Sequence, residues 1–314
     1  MSEAITAAKD AVVKKRLSPH KRNSWMWGYF FIAPMSLGVL LFAIGPTIFA
    51  FYMSLTDWDG LRAQPSFIGF ENFINLANDH VVIQEFRNTI VYSLSVVPAT
   101  IAIAIVLAVF LNSKIPARTF FRVIYFLPIV TMPVAVATVW RYLLHSELGL
   151  VNVILRPFGL NPQWLADPNW IMPAVVIVAI WGGLAFAIII LLAGLQSIST
   201  TYYEAADIDG ATAWSKFYYI TLPLLSPSIF FLFVTSFIGA FRVFDIIYII
   251  SGATQIARGP VDFAVRSVVY GIFERGFFFN QMGYAAAQAV VLFFFILVFT
   301  GFQFFMQKKV VFYN

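Results

Sequence analysis

The sequence contains no cysteine, which excludes disulfides, thiolate metal sites and thiol nucleophiles. Its three histidines, His20, His80 and His145, stand far apart and form no His-Glu-x-x-His pattern, so no metal site is expected. No Gly-x-x-x-x-Gly-Lys-Ser/Thr phosphate loop occurs. No Gly-x-Ser-x-Gly elbow occurs either, and no catalytic residue is assigned. Charge is scarce: 11% of the 314 residues are charged, where a soluble domain carries about 25%.

Apolar side chains fill the space these absences leave. Hydrophobic residues make up 61% of the chain, and 35 of them are Phe. They fall in long runs, which makes the chain a polytopic, all-α membrane protein in contact with lipid. The net charge of +5 does not point to nucleic acid, because the basic residues cluster at the edges of the apolar runs.

Runs of about 20 apolar residues predict six transmembrane helices, near 27–54, 89–112, 123–143, 170–195, 228–250 and 283–305. Residues 1–26 read as a retained basic tail, since the first run is too long for a signal-peptide core. Residues 55–88 form an outer loop, 89–305 a five-helix core and 306–314 a short C-terminus. Lys and Arg set the orientation. Twelve lie on the side of the N-terminal tail: Lys9, Lys14, Lys15, Arg16, Lys21, Arg22, Lys114, Arg118, Arg122, Lys216, Lys308 and Lys309. Seven lie opposite: Arg62, Arg87, Arg141, Arg156, Arg258, Arg266 and Arg275. This asymmetry places both termini in the cytoplasm. Trp140, Tyr142, Trp164 and Trp170 fall where an outer aromatic belt is expected, and the amphipathic stretch 261–273 is expected along the outer surface.

Residues 196–225 form a polar island between two apolar runs. Glu204-Ala205-Ala206 favour a helix, and Gly210 ends it. A second helical piece follows, and Pro223 and Pro227 are expected to punctuate the chain before the next span. The fifth span carries Arg242 and Asp245, whose i, i+3 spacing would put them on one helix face. They are read either as a sealed structural pair or as the border of a path through the membrane. Trp181, Gly183, Phe186, Ser236, Gly239 and Gln288 are further candidates for such a path, by their aromatic faces, small size or polarity.

The polar island resembles the EAA motif of ATP-binding-cassette (ABC) importer permeases, with Glu204-Ala205-Ala206, Asp209-Gly210-Ala211 and Ile220-Thr221-Leu222-Pro223 in place. Its Asp209 and Phe217 look like the carbohydrate branch. Phe67-Ile68-Gly69-Phe70-Glu71-Asn72-Phe73, Phe126-Leu127-Pro128, Phe244-Asp245 and Gly283-Tyr284-Ala285-Ala286-Ala287 extend the likeness over roughly 28–305. Ser251-Gly252-Ala253-Thr254 departs from it, where relatives carry a Gly-Gly-Pro stretch.

The resemblance implies a type I ABC importer permease fold in the cell membrane, pairing with a second homologous permease to form the pore. It implies two ABC ATPase subunits that hold ATP and Mg, so that this chain carries no cofactor, and an extracytoplasmic solute-binding protein that delivers a sugar. It assigns ATPase coupling to Glu204, Ala205, Ala206, Asp209, Gly210 and Pro223. The competing reading from the residues alone is a secondary transporter or channel that uses Arg242 and Asp245 as a charge relay.

The orientation has a direct check. A single cysteine replacing Lys216 in this cysteine-free chain is expected to resist impermeant thiol reagents in intact cells and to react once the membrane is opened. Labelling in intact cells contradicts the assignment.

Overall fold

The computed structural model describes residues 19–62, 64–113, 116, 118–251 and 259–312. The expectations placed on Lys9, Lys14, Lys15, Arg16, Lys114, Arg258 and Gly252-Ala253-Thr254 fall outside them. The chain divides into two units, Met1–Tyr52 and Met53–Asn314.

In the first unit, α1 (Pro19–Val39) runs through a π turn, Leu40–Ile44, into α2 (Gly45–Met53). Pro46 explains the π turn. Proline lacks an N–H, and its ring strikes the carbonyl four residues back in a regular helix. The widened turn gives the preceding Gly45 N–H a partner five residues back, the Leu40 carbonyl. The rod is apolar on every side, with Phe31 73% and Phe42 83% exposed, as a membrane span requires.

In the second unit, α3 (Glu71–Asn78) leads into α4 (His80–Asn112). The Asp79 carboxylate accepts the Val81 and Val82 N–H groups and starts α4 nine residues before the predicted span. Burial pushes the Asp79 carboxyl up, but hydrogen bonds from the Tyr284 hydroxyl and the Val81 N–H, with the Arg275 charge, hold it below the usual carboxylate range. Then come α5 (Arg118–Val130), α6 (Pro133–Leu143), α7 (Leu150–Leu155) and α8 (Pro168–Ser197). The polar island gives α9 (Thr200–Ile208) and α10 (Ala213–Lys216). A second π turn, Phe217–Thr221, joins α10 to α11 (Leu222–Phe241). Short helices α12 (Asp245–Ile250), α13 (Pro260–Val265) and α14 (Val268–Phe273) precede a third π turn, Glu274–Phe278. The last helix is α15 (Met282–Val310).

Helices α4 and α8 form the spine of this unit and pack along one another. Small residues let their backbones approach, among them the fully buried Ala104, Ala108 and Ala174. Where α8 meets α11, a Cβ on Gly194 would stand 2.4 Å from the Ser228 Oγ, so only glycine permits the approach.

The structure corrects five expectations. The third span is two helices bent by 114°. Pro133 opens α6, and Met132 before it takes the extended backbone that a following proline imposes. The fifth span begins at Ala213, not near residue 228, because Pro223 interrupts nothing: the π turn ahead of it passes the Leu222 N–H to the Phe217 carbonyl, the same solution used before Pro46. That span ends at Phe241, so Arg242 and Asp245 are not on one helix. Finally, the 261–273 stretch does not lie along the outer surface. Val265, Arg266, Ser267 and Val268 are buried, and the segment re-enters the core against α4 and α8. Trp164 leaves the belt as well: it is buried, donates to Asn152 Oδ1 at 2.8 Å and packs edge-on against Trp170.

The re-entrant segment is held by buried charge. Glu85 of α4 is 1% exposed and accepts from Arg275 Nη1 at 2.9 and 3.1 Å and from Gln288 Nε2 at 2.8 Å; Arg266 Nε stands 3.5 Å away as an ion pair without a hydrogen bond. Arg266 also pairs with Asp262 and Glu274. A buried charge is tolerable only when paired and hydrogen-bonded. Removing Glu85 leaves Arg275 with the more distant Asp79 carboxylate at 3.7 Å and Arg266 one carboxylate short, and breaking such a buried pair costs about 3–5 kcal/mol. Glu85→Ala is therefore expected to lower the unfolding midpoint of the detergent-solubilised protein steeply; an unchanged midpoint would show that the network does not carry the fold.

Candidate functional site

Two features of the second unit have the form of sites. The first is the helical hairpin of the polar island. Ser199 caps α9 by accepting the Thr201 N–H. The helix ends on Gly210, whose φ of +73° is costly for any residue with a Cβ. Two bonds close the end: Ala211 N–H to Ala206 O at 2.9 Å and Gly210 N–H to Asp207 O at 3.1 Å. That pair defines a Schellman turn. Thr212 then caps α10 by accepting the Ser215 N–H at 3.3 Å. Lys216 pairs with Asp207, which ties α10 to α9, and the Tyr203 and Thr221 hydroxyls meet at 3.0 Å, which ties α9 to the π turn that follows α10.

These bonds close the hairpin at its turn and across its base, and its outer face is uncovered. Glu204, Ala205 and Asp209 are exposed, whereas Ala206 is buried under the turn and Pro223 is half-buried in the helix behind it. Two large apolar side chains stand in the open beside them, Ile208 at 88% and Trp214 at 74% exposure. No space restricts Gly210, since a Cβ there would meet nothing within 4 Å; its requirement is conformational.

The second feature is a cleft of about 380 Å³ between α4, α8, α11 and the break that follows α11. Gly183 and Phe186 of α8, Ser236 and Gly239 of α11, and Arg242 and Asp245 beyond it all line this cleft. The helix break brings the two charges there. Arg242 is the C-cap of α11 and Asp245 the first residue of α12, so each charge is exposed to the cleft, and among the described residues no ion pair joins them. A guanidinium, a carboxylate, a serine hydroxyl and an aromatic face around one cleft offer donors, acceptors and a ring face to a polar solute.

Two of the sequence candidates stand elsewhere. Trp181 is not in the cleft wall; it packs edge-on against Trp140 at 5.8 Å. Gln288 is fully buried and bonded to Glu85 and Arg275, so it belongs to the charge network. Sequence reasoning missed the contribution of α4. Tyr92, Val96, Val97 and Thr100 line the cleft, and a Cβ on Gly183 would press on Thr100 Cγ2 at 3.3 Å. Their period on α4 is helical, but so is that of every buried residue on that helix, so periodicity alone cannot single them out.

Comparison with known proteins gives the family. Residues 82–312 match the family model described as the binding-protein-dependent transport system inner membrane component. The chain is 35% identical over 284 residues to the probable ABC transporter permease protein YesP of Bacillus subtilis, covering 89% of each. It is 34% identical over 273 residues to the arabinooligosaccharides transport system permease protein AraP of the same organism, covering 86% of this chain and 85% of that one. Among solved structures, a chain of a bacterial alginate ABC transporter, in complex with an alginate pentasaccharide-bound periplasmic protein, superposes with a TM-score of 0.81 at 25% identity, over 94% of this chain and 98% of that one. With an all-helical described fold of five long apolar helices and one bent pair, and with these matches along most of its length, the chain belongs to the family of inner-membrane permease components of binding-protein-dependent ABC transporters.

Proposed function

We propose that this chain is one of two permease subunits of an ATP-driven importer of an oligosaccharide or related sugar, with both termini in the cytoplasm. The observation that carries this reading is the preformed hairpin of α9 and α10, closed by a Schellman turn and uncovered on the face that bears Glu204 and Ile208. A hydrogen-bonded helical knob with the exposed carboxylates of Glu204 and Asp209 and two open apolar side chains suits a groove with a basic rim. In this reading the groove is that of a separate ATPase subunit, which holds the ATP and Mg that this chain has no loop to bind. Each of two such subunits grips one permease, and their closure pulls the paired hairpins together. Rigid-body rocking of the helices then exposes the cleft to one side of the membrane and the other in turn. A solute-binding protein outside delivers the sugar. The names of the relatives support a carbohydrate or its phosphate as cargo: arabinooligosaccharides for one, sn-glycerol-3-phosphate for another, alginate for the structural neighbour.

Coupling is tested at Gly210 and Glu204. Gly210→Val forces a β-branched residue into the left-handed region, at a cost of about 1–2 kcal/mol or more. Glu204→Lys sets a cation against the basic rim, where like charges cost several kcal/mol. Both variants are expected to insert normally and to lose co-purifying ATPase by about tenfold or more, the scale of 1.4 kcal/mol. A full ATPase complement with normal transport in both refutes the docking role.

The path is tested at the cleft. Arg242→Gln and Asp245→Asn are expected to leave the assembled complex intact while shifting the half-saturation of uptake or the preference between neutral and anionic sugars. Unchanged uptake in both places the route elsewhere; loss of the assembled complex in both makes the two residues structural.

A further inference from the structure

The tip of the re-entrant segment and the break that shapes the cleft are bonded to each other through one side chain. Ser267, between α13 and α14, is fully buried. Its hydroxyl donates to the Val243 carbonyl at 2.8 Å and accepts the Tyr270 N–H at 3.2 Å. Val243 lies inside the break, between Arg242 and Asp245, and lines the cleft with them. Rings close over the same junction: Phe273 of α14 packs on Phe244 at 5.0 Å and on Tyr248 at 5.6 Å.

Ser267 is itself fixed from the other side. Asn88 Nδ2 donates to the Phe263 and Arg266 carbonyls at 2.8 and 3.1 Å, and the Val268 N–H donates to Thr89 Oγ1 at 3.0 Å. Arg266 and Arg275 anchor the same segment on Glu85. A chain of contacts thus runs from the charged face of α4, through the re-entrant tip, to the backbone of the cleft edge. A broken helix among apolar neighbours has few ways to satisfy its freed backbone carbonyls, so the Ser267 hydroxyl that reaches the Val243 carbonyl constrains its course.

We propose that Ser267 is a positioning residue that, through its hydrogen bond to the Val243 carbonyl, sets where Arg242 and Asp245 stand in the cleft. This rests on the reading of the cleft as the sugar's route only for its consequence; the placement itself is measurable without sugar. It also gives the two buried arginines a task beyond stability, since they hold the segment from which Ser267 reaches.

The absence of native cysteine supplies the test. Asp245→Cys reports the cleft edge, and Leu148→Cys, on a side chain 84% exposed and far along the chain, serves as the reference. The full-length chain is labelled in membranes with a small methanethiosulfonate reagent, with serine, alanine or threonine at 267. Ser267→Ala is expected to change the labelling rate at 245 on the order of fivefold, the scale of one net hydrogen bond, and to leave the rate at 148 unchanged. Ser267→Thr, which keeps the hydroxyl, is expected to restore the rate at 245. Equal rates at 245 with serine and alanine overturn the proposal. A change of the same size at both positions also overturns it, because a general loosening from the lost helix cap would act that way. Should the alanine chain fail to accumulate, Ser267→Gly, which also lacks the hydroxyl and adds no thiol, carries the same comparison. If uptake through the cleft is refuted while the rate at 245 responds as stated, the positioning role stands and the route does not.

Discussion

Hydrocarbon offers no hydrogen bonds, so each departure from a continuous helix must be satisfied within the protein. This chain departs from straight spans repeatedly, and each departure has a distinct chemical answer. Ahead of Pro46 and Pro223 a π turn passes the N–H to a carbonyl five residues back. At Ser267 the neighbouring helix supplies the partners, with Asn88 and Thr89 bonding the backbone of the re-entrant tip. At Val243 the tip itself supplies the donor. Glu85 lies under all of this as the common anchor of Arg266 and Arg275. The buried charges serve less as a source of stability than as a peg, since an ion pair inside a protein rarely repays its desolvation by much.

The breaks are what make a cleft. Continuous, close-packed helices leave no space for a polar solute. Ending α11 at Phe241 turns the chain so that Arg242 and Asp245 face an opening between α4, α8 and α11 instead of stacking on one helix face. Charges there are exposed to the opening and need no mutual pairing. The same logic, reversed, holds at the hairpin. There the sequence spends its conformational freedom on rigidity: one glycine in the left-handed region, two caps and a lysine–aspartate pair fix a short element that would not hold its shape alone. A rigid hairpin transmits force; a soft one would absorb it.

Much of this was legible in the residues, and the misses have physical causes. The membrane class, five of the six predicted spans as long apolar helices and the hairpin with Gly210 at its turn all follow from composition, apolar runs and glycine chemistry. The start of α4 was missed because Gln84, Glu85 and Arg87 raise its polarity, although Asp79 ahead of His80-Val81-Val82 is a helix cap by residue type. Pro133 marked the bend in the third span, but continuous hydropathy masked it. The break after Phe241 carries no proline or glycine at Arg242, Val243 or Phe244, so no local signal announces it; tertiary bonds from Ser267 and the ring of Phe273 hold it instead. The amphipathic stretch 261–273 reads equally well as surface or as re-entrant, because a charge facing Glu85 and a charge facing water look alike in one dimension.

The central claim is that the hairpin of α9 and α10 is the point at which an ATPase grips this permease. A photo-reactive phenylalanine analogue placed at Ile208, the most open apolar side chain of the hairpin, measures it most directly in the assembled, transporting complex. The account predicts that irradiation yields one dominant adduct between this chain and the ATPase subunit, while the same analogue at Leu148 yields none. An active complex in which position 208 forms no ATPase adduct would contradict it.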